Sequence, residues 1–447
     1  MAAPSRLGEA LAHPRGEPVP LLGTPRSGAS GIVARPSLAR VLLPPTTLAL
    51  VVRLVLWVSL PPSPAWDGVP FERAAEDIAA GRGFTRAMFS RDQPPIATAF
   101  YPVGLPAALA VIRTTGAGRQ GDLLFQCVVG VLTVPVGYAL GRRLGGRRTG
   151  ALTAWLAALW PGGVLLSLSW MTEPLFSLLV ATSSAIIAWS SFRTRTRSLA
   201  LAVGVLSLAT YVRPSGLVVA AALVLATLWI DRRQPAPFRR AGIHVALSLV
   251  VASSILAPWA LRNAAAIGTP IPVSTNGGFN LLLGTTGDGR FGEMPADIDC
   301  PAALGEVAKD RCRADRALAR ISDRPLHALA RGALKLVHTF GHESSPSEIW
   351  ASSLELDDED RASARLFALA VSQPFWLSLL VASGAGGVLV WRRRPMGAPG
   401  AAILAPLAGT ALVHAVYLGG DRYHAPTVLL LCALAAFAIV ELRRTRA

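Results

Sequence analysis

Long blocks of apolar residues constrain this chain more than any other feature of its sequence. Each block runs for roughly 20 residues, the length that an α-helix needs to cross the hydrocarbon core of a bilayer. Polar segments rich in arginine, proline and glycine separate the blocks. We therefore predict an all-α polytopic membrane protein. About ten transmembrane helices are expected, at 41–60, 122–140, 150–168, 174–190, 198–212, 216–230, 242–259, 366–390, 400–418 and 425–441.

The composition and the distribution of charge agree with this class. Charged residues make up only 16% of the chain, whereas soluble domains carry about 25%. The net charge of +16 could indicate nucleic-acid binding. However, the basic residues are grouped between the apolar blocks, as in loops that stay in the cytoplasm. We therefore expect membrane lipid, and no nucleic acid, as a partner. The basic segments are 142–148, 193–197, 231–240, 392–394 and 443–446.

The basic segments determine the predicted topology. Placing all of them in the cytoplasm gives a multi-pass protein of the cell membrane with both termini inside. The loops 61–121 and 260–365 then lie on the extracytoplasmic face. Tyr101–Arg113 is apolar but shorter than a full span. We predict an interfacial or half-inserted helix there.

Four segments make up the predicted domain organisation. Residues 1–40 are rich in Pro, Gly, Ser and Arg without helical periodicity, and we expect a disordered cytoplasmic tail. Residues 41–259 form an N-terminal membrane module whose first loop, 61–121, carries candidate catalytic residues. Residues 260–365 form an extracytoplasmic loop or subdomain, and 366–447 hold the C-terminal transmembrane helices.

Two of the four cysteines lie in the polar loop 260–365. Cys300 and Cys312 can pair in an oxidising compartment, and we favour a disulfide over two free thiols. Cys127 and Cys432 lie inside predicted spans. We expect these two to be small buried residues.

The predicted topology places several charged residues on one extracytoplasmic face. Asp67, just after the first span, could deprotonate a hydroxyl group or be an ordinary solvated acid. Glu173 stands at the start of a span, where the helix dipole also stabilises a carboxylate. Arg213 interrupts an apolar hairpin, which is costly unless the arginine has a partner. We expect Arg213 to bind phosphate or to pair with Glu173 or Asp67.

Further candidate substrate-binding residues lie near the ends of spans. Arginine matches the geometry of phosphate groups, although a basic residue at such a position can also contact lipid headgroups. The further candidates are Tyr101, Arg262, Asn263, Arg422, Tyr423 and His424.

The segment 338–343 contains two histidines four residues apart and an adjacent glutamate. This spacing could bind zinc on a helix. Gly341 and the following Ser and Pro residues weaken the helix, and no third ligand is evident. We predict no metal site and no cofactor.

Short motifs also occur in a definite order from the first span to the last. They are Asp67 followed by AAEDIAAGRGF at 74–84, YPVGLP at 101–106, GRRLGGRR at 141–148, TEPL at 172–175, VRP at 212–214, Pro258-Trp259 with Arg262-Asn263, NGGFN at 276–280, and Arg422-Tyr423 with Pro426. In this order the chain resembles the integral-membrane glycosyltransferases of the GT-C fold, in the superfamily of protein O-mannosyltransferases and aminoarabinose transferases.

The resemblance implies a reaction and residues for it. Members of this superfamily use a polyprenyl-phosphate sugar as donor and act outside the cytoplasmic membrane, and the aspartate of their first loop is regarded as the catalytic base. By resemblance, Asp67 would activate the acceptor hydroxyl, and Glu173 would orient the acceptor or an arginine. Arg213, Arg262 and Arg422 would stabilise the leaving phosphate.

The predicted function is transfer of a sugar from a polyprenyl-phosphate donor to an unidentified glycan, lipid or protein acceptor. Many members have a tyrosine four residues after the aspartate, where this chain has Phe71, so we expect one hydroxyl contact to be missing. The alternatives are a lipid-linked glycan transporter or polymerase, and a non-catalytic membrane scaffold. Transporters usually bind near the bilayer midplane, where this sequence shows few ionisable residues.

Overall fold

A computed structural model describes residues 37–392 and 397–446 of the chain. Most of the predicted N-terminal tail, residues 1–36, lies outside the described residues, whereas 38–40 already belong to the first helix. The described part contains seventeen α-helices and isolated β-bridges but no β-strand. The predicted all-α class is confirmed.

The helices follow one another with short connections, apart from a few longer loops. Their bounds are α1 Leu38–Ser59, α2 Gly68–Ala79, α3 Gly104–Arg113, α4 Gly118–Gly145, α5 Arg147–Leu159, α6 Pro161–Leu166, α7 Glu173–Trp189, α8 Arg195–Val212, α9 Gly216–Asp231, α10 Pro237–Ile267, α11 Gly277–Leu283, α12 Glu306–Asp323, α13 Pro325–Phe340, α14 Ser345–Ser353, α15 Asp358–Arg392, α16 Ala398–Val416 and α17 Val428–Arg446, with 3₁₀ helices at Arg86–Met88 and Asp421–Thr427.

Six helical segments of the described chain are long and apolar enough to cross a membrane. They are α1, α4, α10, α15, α16 and Asp421–Thr445, which includes most of α17. The predicted spans at 174–190, 198–212 and 216–230 correspond to α7, α8 and α9, which have 17, 18 and 16 residues. These lengths are close to the lower limit of about 17 residues for a membrane helix. The chain is a polytopic membrane protein, and nine of the ten predicted spans correspond to single helices of the described chain.

The predicted span at 150–168 is wrong as a single helix. It is divided into α5 and α6 at Trp160, whose backbone is extended (φ −63°, ψ 109°). The cause is Pro161, because the residue before a proline is disfavoured in the helical region. The break also turns the Trp160 indole toward Glu343, to which its Nε1 donates at 2.7 Å.

The core of the bundle lies around α17, which is apolar on all sides. In its span 78% of the residues are buried, against 17% for α1 and α10. A helix that is hydrophobic all round belongs in the interior of a bundle. Helices α4, α7, α8, α9 and α16 share one apolar cluster with α17, whereas α1 and α10 lie at the periphery, where their apolar faces are free to contact lipid.

The first loop packs against the segment that connects α10 to α15. Glu306, the first residue of α12, accepts hydrogen bonds from Thr98 Oγ1 at 2.6 Å, the backbone N–H of Ala99 at 2.8 Å and Thr275 Oγ1 at 2.6 Å. A carboxylate is also favoured at the start of a helix. The same segment contains the disulfide between Cys300 and Cys312, so the favoured pairing is confirmed.

Candidate functional site

A small polar pocket, here called the Asp67 pocket, lies where six segments of the chain meet. The segments are the first loop, the start of α7, the turn between α8 and α9, helix α11, the loop that follows α11, and the 3₁₀ helix Asp421–Thr427. The pocket has a volume of about 130 Å³. Its lining residues are Asp67, Phe71, Phe100, Tyr101, Pro102, Thr172, Glu173, Val212, Arg213, Pro214, Asn276, Phe279, Asn280, Phe291, Arg422 and Tyr423.

The carboxylate of Asp67 is oriented by two partners. The Tyr101 hydroxyl donates to Oδ1 at 3.1 Å, and Arg422 Nη1 lies 2.9 Å from Oδ2. The Asp67 side chain is 24% exposed, so a substrate can still reach it. Burial, followed by the charge of Asp67, raises the pKa of Tyr101. Tyr101 therefore stays protonated and remains a donor to Asp67.

The backbone just before Asp67 is held in an unusual conformation. Trp66 has φ 54°, one of two non-glycine residues with positive φ in the described chain. Such a conformation costs roughly 1–3 kcal/mol for a non-glycine residue and occurs often at functional sites. On the other side of Asp67, a Cβ on Gly68 would come within 3.1 Å of Trp170 Cβ. A close contact that favours glycine therefore fixes the start of α2 directly after Asp67.

A buried charge cluster forms the side of the pocket opposite the first loop. Glu173, 1% exposed, accepts a hydrogen bond from Arg213 Nη1 at 2.7 Å. Arg422 Nε lies 4.0 Å from the same Glu173 oxygen. The two arginines thus share Glu173, and Arg422 also pairs with Asp67. The predicted pairing of Arg213 with Glu173 is present in the structure.

Aromatic rings surround these charges. Tyr101 packs edge-on against Phe71 and Phe100, with ring centroids 5.1 and 5.2 Å apart. The guanidinium groups of Arg213 and Arg422 lie 5.2 and 5.1 Å from the Tyr423 ring. Cation–π contacts of this length are attractive. Phe71 has no hydroxyl to offer, as expected, and the hydroxyl next to Asp67 comes from Tyr101 instead.

The structure places Arg262 and Asn263 outside the lining of the Asp67 pocket. Arg262 donates to the backbone carbonyls of Thr98 at 2.9 Å and Phe84 at 2.8 Å. Asn263 is fully buried and donates to the carbonyl of Ile271 at 2.8 Å. These bonds satisfy backbone acceptors of the surrounding loops, so both side chains hold loops in place.

His424 also lies outside the lining of the pocket and anchors the turn that carries Arg422. It is fully buried, with its Nδ1 2.7 Å from the Thr339 carbonyl and its Nε2 3.1 Å from Glu343 Oε1. Its ring stacks on Trp376 at 3.8 Å. At the start of the turn, Asp421 accepts hydrogen bonds from the backbone and hydroxyl groups of the Ser344-Ser345 pair.

The NGGFN motif supplies pocket residues that were not among the predicted site residues. Asn276 and Asn280 line the pocket together with Phe279. The amide oxygen of Asn276 accepts from Ser274 Oγ at 2.8 Å. The NGGFN motif could have identified these residues from the sequence, because two side-chain amides four residues apart lie on the same face of a helical turn.

The histidine segment does not gather ligands for a metal. His338 Nε2 lies 3.6 Å from Asp288, and His342 Nε2 lies 3.7 Å from Asp421. Glu343 points to Trp160 and His424 instead. Among the described residues, no three His, Cys, Asp or Glu side chains are grouped to hold a metal ion.

An apolar groove adjoins the Asp67 pocket and shares Val212 with it. The groove has a volume of about 490 Å³ and is lined by side chains of α3, α7, α8 and α10 with little polar surface. Val103 and Leu175, which line the groove, follow closely on Tyr101 and Glu173 in the chain. A molecule with a charged head and a long apolar tail fits such a pair of sites.

Comparisons with solved structures give the fold. An oligosaccharyltransferase from Archaeoglobus fulgidus tethered with an acceptor peptide aligns with a TM-score of 0.54 and 12% identity, over 91% of this chain and 49% of that chain. The archaeal oligosaccharyltransferase AglB from the same organism, in complex with an inhibitory peptide and a dolichol-phosphate, aligns with a TM-score of 0.52 and 11% identity, over 91% and 50%. This likeness confirms the predicted GT-C-like fold, and the chain spans about half the length of these structures.

ArnT from Cupriavidus metallidurans bound to undecaprenyl phosphate aligns with a TM-score of only 0.42 and 16% identity, over 87% of this chain and 77% of that chain. No protein-family model and no curated protein matches the chain.

Proposed function

We propose that this chain is a membrane glycosyltransferase that moves a sugar from a polyprenyl-phosphate donor to an acceptor hydroxyl on the extracytoplasmic face. The observation that carries the proposal is the Asp67 pocket. It contains an accessible carboxylate, Asp67, paired with Arg422. A second arginine, Arg213, is paired with Glu173, and an apolar groove lies beside the pocket. The shared fold supports the reaction class, because the aligned archaeal protein is an oligosaccharyltransferase in complex with a dolichol-phosphate.

In the proposed mechanism Asp67 is the general base. Its carboxylate takes the proton of the acceptor hydroxyl as that oxygen attacks the anomeric carbon of the donor. The bond between the anomeric carbon and the phosphate oxygen breaks, and polyprenyl phosphate leaves with the electron pair. The proton remains on Asp67, and the sugar is transferred with inversion.

The arginines would stabilise the charge that develops on the departing phosphate. Donors that are already oriented in a site of restricted water lower the barrier most. Arg213 and Arg422 line the same pocket, and Arg422 Nη1 is buried without a hydrogen-bond partner despite its ion pair with Asp67. Glu173 would hold both guanidinium groups in position. The apolar groove would take the first isoprene units of the donor.

The test is release of polyprenyl phosphate. Purified full-length protein is incubated with a panel of polyprenyl-phosphate sugars and a membrane extract as acceptor source, and mass spectrometry follows the lipid product. We expect release from one donor class by the wild type and its loss in Asp67→Asn. Equal release by both proteins would remove Asp67 from the mechanism. No release from any donor would favour a glycan transporter or a non-catalytic scaffold.

A further inference from the structure

A second and larger cavity lies between α12, α13 and α16. It has a volume of about 870 Å³ and shares no lining residue with the Asp67 pocket. It is therefore a separate cavity.

Basic side chains dominate the charge of this cavity. Arg320, Arg324, Arg331 and Lys335 line it, against one acidic residue, Asp323. None of these four cations forms an ion pair with a carboxylate in the described part of the chain. Unpaired cations this close together repel one another, and the repulsion is relieved by an anion between them.

The hydrogen-bond partners of these cations are a hydroxyl, backbone carbonyls and the His327 ring rather than carboxylates. Arg320 Nε donates to Thr285 Oγ1 at 3.0 Å, and Arg331 donates to the carbonyl of the same residue. Lys335, only 3% exposed, donates from Nζ to the Val416 carbonyl at 2.8 Å. Burial, followed by the charge of Arg331, lowers the pKa of Lys335 to about 8. These guanidinium and ammonium groups therefore keep donors for a ligand.

The other walls of the cavity are apolar and face outward. Leu412 and Ala415 of α16 line the cavity. On α13, Leu329 lines the cavity and is 72% exposed, whereas Leu326 and Val337, which do not line it, are 79% and 62% exposed. They lie on one face of the helix, opposite the buried Lys335, at spacings of three and eight residues. An amphipathic helix whose apolar face points away from the protein can lie in the interface of a membrane.

We propose that this cavity binds the phosphate headgroup of a second membrane lipid, distinct from any lipid in the Asp67 pocket. The acyl chains would run along α16 and the apolar face of α13, and the phosphate would lie among the arginines of α12 and α13. Arginine pairs with phosphate in a bidentate geometry, and basic residues beside a membrane surface attract anionic headgroups. A lipid is the occupant that matches both the cationic and the apolar walls.

The experiment measures lipid binding to the full-length protein in detergent by native mass spectrometry. The probes are dioleoyl phosphatidic acid and dioleoylglycerol, which has the same tails without phosphate. Arg320→Gln and Arg324→Gln are made singly and together, because both side chains are exposed and their loss does not disturb the core. The matched control is Arg311→Gln, an exposed α12 arginine that does not line the cavity.

We expect phosphatidic acid to bind the wild type and the Arg311→Gln control equally and more tightly than dioleoylglycerol. The Arg320→Gln/Arg324→Gln protein is expected to bind phosphatidic acid about 30-fold more weakly, since each basic residue near a membrane surface contributes about 1 kcal/mol and every 1.4 kcal/mol changes the affinity tenfold. Unchanged binding in the double variant, or equal binding of dioleoylglycerol, would overturn the proposal. Displacement of the lipid by millimolar inorganic phosphate would show a phosphate-ion site instead.

Discussion

Asp67 and Glu173 are two carboxylates in one pocket with different surroundings. Asp67 is 24% exposed and has Arg422 and Tyr101 as partners, whereas Glu173 is 1% exposed and is bonded to Arg213. Both acids pair with an arginine, but a general base must come within hydrogen-bond reach of the acceptor hydroxyl, and only Asp67 is exposed enough for a substrate to reach it. This difference supports Asp67 as the base and Glu173 as the residue that positions the arginines.

The Arg213–Glu173 pair gives a prediction about stability. Arg213→Gln leaves Glu173 buried with Arg422 4.0 Å away as its remaining charged neighbour, and we expect a loss of roughly 2–4 kcal/mol, because an uncompensated buried charge is costly. The double variant Arg213→Gln/Glu173→Gln should regain part of this stability while staying inactive. Thermal unfolding in detergent measures both effects.

The control for this experiment is the surface pair of Arg365 and Glu348. Their side chains are 44% and 39% exposed and their charged atoms lie 3.5 Å apart. Arg365→Gln should change the stability by no more than about 1 kcal/mol, as is usual for exposed pairs. Equal losses in Arg213→Gln and Arg365→Gln would mean that the Glu173 pair is not buried as described.

The sequence predicted Arg213 better than Arg262 for a physical reason. An arginine inside a short apolar hairpin needs a partner nearby, and Glu173 follows from that need. The partners of Arg262 are backbone carbonyls of Phe84 and Thr98. Which backbone carbonyls of a loop lack a backbone hydrogen bond cannot be read from the sequence. The hydrogen bonds from Arg262 to these carbonyls therefore could not be predicted.

Two short elements, rather than the long spans, position the Asp67 pocket. The 3₁₀ helix Asp421–Thr427 carries Arg422 and is anchored through Asp421 and His424. The first loop carries Asp67 and Tyr101 and is held by Glu306 at the start of α12. The 3₁₀ helix and the parts of the first loop outside α2 and α3 lack the apolar periodicity that identifies a helix from sequence. The sequence therefore identified candidate residues in both elements, but it could not predict how these residues lie relative to one another.

Glu306 gives a prediction about the first loop. Glu306→Gln keeps the shape of the side chain but removes its charge, which weakens the hydrogen bonds from Thr98, Ala99 and Thr275. We expect amide exchange around Ala99 to become about tenfold faster, because local opening there costs less free energy. Glu359→Gln, at an exposed residue in the first turn of α15, is the control and should leave this exchange unchanged.

The overall fold of the molecule could be predicted from the sequence better than the geometry of the site. Apolar blocks and basic segments predicted a polytopic all-α protein, and the order of motifs predicted its GT-C-like fold, which the archaeal structures share. In the described chain, six of the ten predicted spans are helices long and apolar enough to cross a membrane, and three more correspond to the shorter helices α7, α8 and α9. The span at 150–168 could not be one helix, because Pro161 interrupts it.

The predicted topology can be tested by labelling in intact cells. Asp92→Cys places a thiol at an exposed residue of the first loop, and Arg233→Cys places one at an exposed residue of the basic segment 231–240. The free cysteines Cys127 and Cys432 are buried, so background labelling should be low. A membrane-impermeant maleimide should label the Asp92 variant in intact cells and the Arg233 variant only after permeabilisation. The reverse pattern would place the Asp67 pocket in the cytoplasm.

The most direct measurement is the rate of polyprenyl-phosphate release by Asp67→Asn beside Asp92→Asn. Both variants remove one carboxylate from the first loop, but Asp92 is exposed and does not line the pocket. With a single donor, we predict that kcat falls about 100-fold or more in Asp67→Asn, as for loss of a general base, and is unchanged in Asp92→Asn. Wild-type kcat in Asp67→Asn would contradict the proposal that this pocket catalyses glycosyl transfer.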